Sequence, residues 1–407
     1  MLAGIRVLEL SSRETMLAGS ILADLGADVI VVEPPGGADG RRLEPFLDGL
    51  PGLERSLTWQ ALNRNKRGMT LAIETPDGVA LLRDLVQRFD VVIEATASGS
   101  APSLADDLSL RPSSVHCTIR PFAQNGPKAG YLATDLVLMA ASGALGMMGD
   151  PDRPPVPLPV PQGMMEAGAE AAIAVLASLA ALDGDGTGQR ADVNGRLAAM
   201  VGAFSTPVTI SSGNPEGPRP AGGGSIAGVN MPTVYPCADG FVVATLAFGS
   251  AWGPMTNRLA AWVHEEGFIT EELGLRDWAP LLSDLQEGRV GAAQLQGLVD
   301  GLSAMFATRS KDEIWREARE RSLLVAPAMD MADVATSPQF LERGVWNELT
   351  WASRTIRIPA RFAQFSNYSI TTRRPAPMLS QHTNEILAGE LSLSQDELQA
   401  LFVHGVI

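Results

Sequence analysis

The chain has 407 residues, 45% of them hydrophobic, and a formal net charge of −15. That length and apolar content describe a globular protein of two or more domains, not a disordered one. The acidic balance excludes a nucleic-acid binder, because phosphate backbones demand a basic surface.

From the N-terminus, 5–10 is an apolar run of strand type. Residues 15–26 carry helical periodicity, with Gly26 as the C-terminal cap, and 28–33 is a second apolar strand. This is a βαβ unit. The pattern resumes with a strand at 69–73, a helix over 76–89 with Pro76 in its first turn, and strands at 90–94 and 115–119. Alternating apolar strands and helices predict an α/β fold, a large Rossmann-like domain on a mainly parallel sheet. The turn after the first strand reads Ser11-Ser12-Arg13-Glu14-Thr15 and lacks GxGxxG, so NAD binding is not expected. His116 and Cys117 are adjacent in a strand and face opposite sides.

Helical patterns cover 135–148 and 168–182, the second entered through the Pro-rich run 154–161. A tight turn at 183–189 opens a strand or helix at 190–194. The Gly/Pro-rich stretch 213–224 is the best domain boundary. Beyond it, Asp239-Gly240 marks a hairpin between 234–236 and 241–246. Residues 252–320 are mostly amphipathic helix, 323–365 mixed strands and loops, and 394–402 a last helix. The expected domains are a large Rossmann-like domain over 1–212, a smaller α+β domain over 225–325, and a return to the large domain over 326–407.

No window of about 18 residues is apolar and free of charge and proline, so no membrane span is expected. The N-terminal run lacks a basic segment and a long apolar stretch, and does not read as a secretion signal. Two cysteines make no disulfide framework and suit a reducing cytoplasm. Four histidines without HExxH or CxxC spacing give no metal signature.

A series of short segments runs along nearly the whole chain. The first is the opening 2–33, followed by Arg41-Arg42. Next come Asn63-Arg64-Asn65-Lys66-Arg67-Gly68 and Thr134-Asp135 with Ser142-Gly143. Gly186-Thr187-Gly188-Gln189 precedes Asp192-Val193, and His382-Thr383-Asn384-Glu385 stands near the end. In this order they resemble the family III CoA-transferases. The resemblance implies two chains threaded as an interlocked-ring dimer. It also implies a route through an enzyme carboxylate: thioester attack gives a mixed anhydride, the CoA thiolate then forms an enzyme–CoA thioester, and an acceptor carboxylate takes the CoA. CoA and acyl-CoA would be substrates, with no tightly bound cofactor.

The family nucleophile, an aspartate at a helix start, aligns with Met164. A thioether is soft and apolar and cannot accept an acyl group in this way. The nearest carboxylate is Glu166. Two helical residues turn a side chain by about 200°, so Glu166 reaches the pocket only if the helix starts late. Its other reading is a first-turn acid favouring the helix dipole. The family's Glu-Asn-Phe segment, which holds the CoA adenine end, reads Glu94-Ala95-Thr96 here, and Ser103 stands where an arginine follows. Thr134 replaces the histidine of the racemase branch. Asp135 reads as a structural or pocket-lining acid, with a replacement nucleophile as its alternative.

Arg41, Arg42, Arg64, Lys66 and Arg67 form the candidate phosphate cluster, with salt bridging as their alternative. Gly222, Gly223 and Gly224 resemble a mobile loop shielding the family's intermediates, or else a plain linker. The resulting expectation is a transferase subunit without its own nucleophile, paired with a homologous catalytic subunit, with succinyl-CoA as one donor. Alternatives are a self-sufficient homodimer using Glu166 and a CoA-binding scaffold without activity.

Overall fold

The computed structural model describes residues 1–407 apart from 102, 105–107, 109, 151, 203–222, 352 and 360, and the side chains of 183 and 185. The chain divides into two compact units. The first comprises Met1–Gly146, Val156–Gly217 and Gln339–Ile407, and the second Met147–Pro155 and Pro218–Pro338.

The first unit is built on a six-stranded sheet of β1 (Arg6–Leu10), β2 (Asp28–Glu33), β3 (Arg67–Thr70), β4 (Val91–Ala95), β5 (Val115–Arg120) and β6 (Arg190–Asn194), in the order β3-β2-β1-β4-β5-β6. Every pairing is parallel. Helices cover both faces, which is why the central strands are continuous apolar runs. Strand order reverses between β1 and β4. In open sheets of this kind, ligands bind at that reversal, outside the carboxyl ends of the strands.

One face is covered by α1 (Thr15–Asp24) and a long later helix, Gln162–Asp185. Ala167, Ala171, Val175 and Leu179 recur every four residues along that helix and pack with Ala18, Leu22, Val115 and Cys117. Over Gln162–Leu182 its mean hydropathy is 1.6, enough to cross a bilayer by length and composition. Here the sheet and α1 cover one side of it instead, as in a core helix. On the α1 side, Trp59 of α2 (Leu57–Asn63) packs with Met16 and Val31. The opposite sheet face holds α3 (Pro76–Val86) and the C-terminal helices Thr383–Leu391 and Gln395–Val403, packed around Leu82, Phe89, Ile386 and Leu398. Thr75 caps α3, its hydroxyl accepting the Gly78 N–H at 3.1 Å. The helix expected over 135–148 is α4 (Asp135–Ser142), ended by Gly143 at φ +89. The one expected from 168 begins at Gln162, so we number it α5 (Gln162–Asp185). It is followed by β6 and α6 (Gly195–Val201).

The second unit carries a three-stranded antiparallel sheet in the order Val325–Ala328, Gly240–Ala244, Val234–Cys237. Helices Gly253–Glu265, Ala292–Ala307 and Lys311–Glu320 pack on it around Trp262, Leu302 and Phe306. Because Val325–Ala328 pairs with the central strand, the chain stays in this unit past 325, and the first unit resumes at Gln339. Most of the expected linker 213–224 lies outside the described residues, Gly222 included. Gly223 adopts φ +121, and a Cβ there would stand 1.7 Å from the Met231 carbonyl oxygen. Gly224–Ile226 pairs with Val229–Met231.

Candidate functional site

The start of α5 lies among α4, α6 and the β1–α1 turn. A helix leaves its first N–H groups without intrahelical partners. The residue before α5 is Pro161, which offers no side-chain cap. Asp135, the first residue of α4, supplies one from outside. The Gln162 N–H donates to Asp135 Oδ2 at 3.2 Å, and the Met164 N–H donates to Oδ1 at 2.9 Å. A carboxylate at the positive end of a helix is favourable. Gly163 makes the approach feasible: a Cβ there would lie 3.3 Å from both Leu138 Cβ and Ala199 Cβ, and 3.4 Å from Asp135 Oδ1.

Met164 therefore lies inside the helix, half-buried, with its backbone engaged by Asp135. Glu166 lies in the same helix. The early helix start removes the late-start geometry that would have turned Glu166 toward the face of Met164. A Cβ on Gly202 would meet Glu166 Oε1 at 3.5 Å, which places this carboxylate beside the end of α6. Its Oε2 is buried and has no hydrogen-bond partner among the described residues. Burial pushes the Glu166 carboxyl up from its ordinary range, and the nearby Asp135 charge adds to the effect.

A cavity of about 60 Å³ opens at the carboxyl ends of β4 and β5, lined among others by Glu14, Thr96, Arg120, Leu138, Ala167 and Gly195. Arg120, the last residue of β5, is 4% exposed. Its Nη1 donates to the Gly99 and Ala101 carbonyls at 3.0 and 2.8 Å and to Thr96 Oγ1 at 3.3 Å. Its Nε stands 3.3 Å from Asp192 Oδ1. Arg120 thus ties the 96–101 turn, where the expected adenine grip had lost its Asn and Phe, to the end of β5. Neither Arg120 nor Glu14 belongs to a motif that marks it in the sequence. The signal was a charged residue at the end of β5 and another in the turn after β1, beside the order reversal.

Glu94 is buried. Its Oε1 is 2.8 Å from His116 Nε2, its Oε2 accepts the Leu104 N–H at 3.1 Å, and the Ser103 hydroxyl donates to Oε1. Burial alone would raise the Glu94 carboxyl, but the bonds from His116 and Ser103 outweigh it and hold it below the usual range. Ser103, at the expected arginine position, belongs to this internal network. Cys117 faces the other way, against α5, as adjacent strand residues must.

None of the expected cations lines the cavity. Arg41 is fully buried, with Nε 2.6 Å from Glu33 Oε2 and Nη2 2.8 Å from Oε1, and it stacks on Trp59. Lys66 is also fully buried, its Nζ 2.6 Å from Glu9 Oε2. Burial pushes Glu9 up and Lys66 down, and their mutual attraction opposes both shifts. Arg64 pairs with Asp24, and Arg67 with Asp28 at 2.6 Å and Glu385 at 3.0 Å. Arg42 is exposed and donates to the carbonyls of Gly36, Gly37 and Ala38. The physical reason is that strand ends bury carboxylates, and a buried carboxylate requires a paired cation. The 63–68 segment also pins the C-terminal stretch: Asn65, at φ 65, donates to Asp24 Oδ1 at 2.8 Å and accepts the Arg373 N–H at 2.6 Å. Among the described residues no group of three His, Cys, Asp or Glu side chains is placed to hold a metal ion.

The family model described as CoA-transferase family III matches residues 2–383. The chain is 28% identical to subunit BbsE of succinyl-CoA:(R)-benzylsuccinate CoA-transferase from Thauera aromatica, covering 94% of this chain and 92% of that one. It is 28% identical to succinate–glutarate CoA-transferase of Agrobacterium fabrum, with 95% of each chain covered. A crystal structure of a CaiB/BaiF family protein from Brucella suis superposes with a TM-score of 0.77 at 24% identity, over 96% of this chain and 99% of that one. That likeness bears on the fold alone.

Proposed function

The chain belongs to CoA-transferase family III, and from that premise we propose that it is one subunit of an enzyme moving CoA from an acyl-CoA to a carboxylic acid. In this reading the nucleophilic carboxylate belongs to a homologous partner chain. CoA enters as substrate, in the cytoplasm, and succinyl-CoA is a donor with a dicarboxylic acid as acceptor. The observation that carries the reading is the start of α5. By resemblance to the family, Met164 stands at the nucleophile position, and its own N–H and that of Gln162 are both taken by Asp135. An oxyanion arriving there would find no free donor from Gln162 or Met164.

Two further observations support a partner. One relative is itself named as a subunit, while others are named without one. Leu136, Ile173, Leu197 and Val201, on three neighbouring helices of the first unit, are each more than half exposed, between 51% and 59%. Large apolar side chains exposed on neighbouring helices suit a protein contact. The interlocked-ring arrangement would cover such a face.

The second reading, a homodimer with Glu166 as nucleophile, is favoured by the unpartnered Oε2 of that residue. A transfer assay from succinyl-CoA to glutarate separates them. The first reading expects turnover by the native complex, none by this chain alone, and no change on Glu166→Gln in the complex. Turnover by the lone chain that Glu166→Gln abolishes would establish the second instead.

A further inference from the structure

Residues 349–384 hold five arginines, Arg354, Arg357, Arg361, Arg373 and Arg374, and no aspartate or glutamate. In a chain of net charge −15 this stretch reverses the sign locally. Cations gathered at a concave surface raise the local concentration of anions. Just after the hairpin of Trp346–Trp351 and Arg354–Pro359, the same stretch curls around an open cavity of about 610 Å³. Arg361, Phe365, Ser366, Asn367, Tyr368 and Ser369 are among its lining residues, and none of the lining residues is acidic.

Arg361 is half-buried, and its Nε donates to the Ile370 carbonyl at 3.3 Å. Its Nη1 lies against Gly344, where an added Cβ would stand 3.0 Å away and φ is +59. Neither Nη group makes a hydrogen bond or ion pair among the described residues, whereas Arg41, Arg64 and Arg67 each hold a carboxylate. The exposed side chains of Ser366, Asn367 and Ser369 are uncommitted in the same sense. A planar guanidinium fork with hydroxyl and amide groups beside it suits an oxyanion. The rings of Phe365 and Tyr368 stand edge to face with centroids 6.1 Å apart, and the Tyr368 hydroxyl is fixed by donating to the Asp24 carbonyl at 2.7 Å.

That last bond also locates the cavity. Asp24 ends α1, and Tyr368 Oη would lie 3.3 Å from a Cβ on Gly26, in the turn that leads into β2. The cavity thus stands by the starting ends of the strands. The five residues of β1 span about 17 Å, so it is remote from the cavity at the carboxyl ends of β4 and β5.

We propose that the 361–370 cavity is a binding site for a phosphorylated nucleoside, separate from the exchange centre. The phosphate oxygens take the Nη groups of Arg361, with Ser366, Asn367 and Ser369 beside them, and the base lies against Phe365 and Tyr368. A lone phosphate would leave most of 610 Å³ empty, while pockets for small organic ligands run to about 300–1,000 Å³. The two rings favour a planar aromatic group over an aliphatic anion. This site goes beyond the partner-based function and does not rest on it.

The test is photolabelling of the native assembled enzyme with 8-azido-AMP, followed by peptide mass spectrometry. The expected result is label on the tryptic peptide Phe362–Arg373, displaced by excess AMP and not by equal adenosine or inorganic phosphate. Arg361→Gln should weaken that labelling by about tenfold or more, the loss of a charge-assisted hydrogen bond. Asn367→Ala, at an exposed position, should weaken it by about threefold and serves should Arg361→Gln fail to fold. Label absent from this peptide overturns the proposal, as does full labelling in both variants. Equal displacement by inorganic phosphate overturns the nucleoside part, and equal displacement by adenosine overturns the role of Arg361. The readout is labelling rather than turnover, so each of these outcomes leaves the partner-based function standing.

Discussion

The Asp135 carboxylate accepts the Met164 backbone N–H at 2.9 Å, and this bond joins the start of α4 to the start of α5. With the Gln162 bond to the other oxygen, it makes Asp135 the external cap of a helix that has none of its own. Asp135→Ala should therefore cost about 1 kcal/mol of stability, in line with lost caps elsewhere. Urea unfolding would show it as a lower midpoint at unchanged slope. An unchanged midpoint would mean that the bonds contribute nothing net.

Glu166 titrates in the opposite sense to a stabilising carboxylate. Its folded pKa is raised from the ordinary 4.5, by burial first and the Asp135 charge second. Between 4.5 and the raised value the folded state binds more protons than the unfolded one. Stability then falls as pH rises through that window, and the penalty is complete above the folded pKa. Glu166→Gln should raise the melting temperature at pH 8 relative to wild type, with the gain shrinking toward pH 4. A gain independent of pH would contradict this assignment.

The fully buried Lys66–Glu9 pair should be intolerant of half-removal. Lys66→Met strands a buried carboxylate and should destabilise by about 3–5 kcal/mol. Adding Glu9→Gln should recover part of the loss, which a double-mutant cycle by chemical unfolding would read. Additive losses would show that the two groups do not interact.

Burial pushes the Cys117 thiol up to about 12, so almost no thiolate forms at pH 8. Iodoacetamide should leave Cys117 unmodified in the native protein and alkylate it only in denaturant, as peptide mass spectrometry would show. Native modification at the rate of a free thiol would mean that the strand opens readily.

The parallel sheet was legible because β1, β2, β4 and β5 are apolar runs separated by helical periodicity, and both signals are local. The six-residue-early start of α5 was not. Pro161 ends an extended run, and the helix resumes at once because Asp135, 27 residues away in sequence, supplies its cap. The cation cluster was legible as a set of residues but not as a set of contacts. Arg41, Arg64, Lys66 and Arg67 find carboxylates on strands and helices distant in sequence, and local spacing does not encode those pairings. Met164 was singled out by aligning motifs, whereas Glu14 and Arg120 acquire meaning only when β1, β5 and α5 converge on one cavity.

In the proposed function the working aspartate belongs to another chain. Its most direct test is isolation of the active transferase from the native source, followed by mass spectrometry of its subunits. A second, homologous chain with an aspartate at the position of Met164, in stoichiometric amount, is the expected result. An active enzyme containing this chain alone would contradict it.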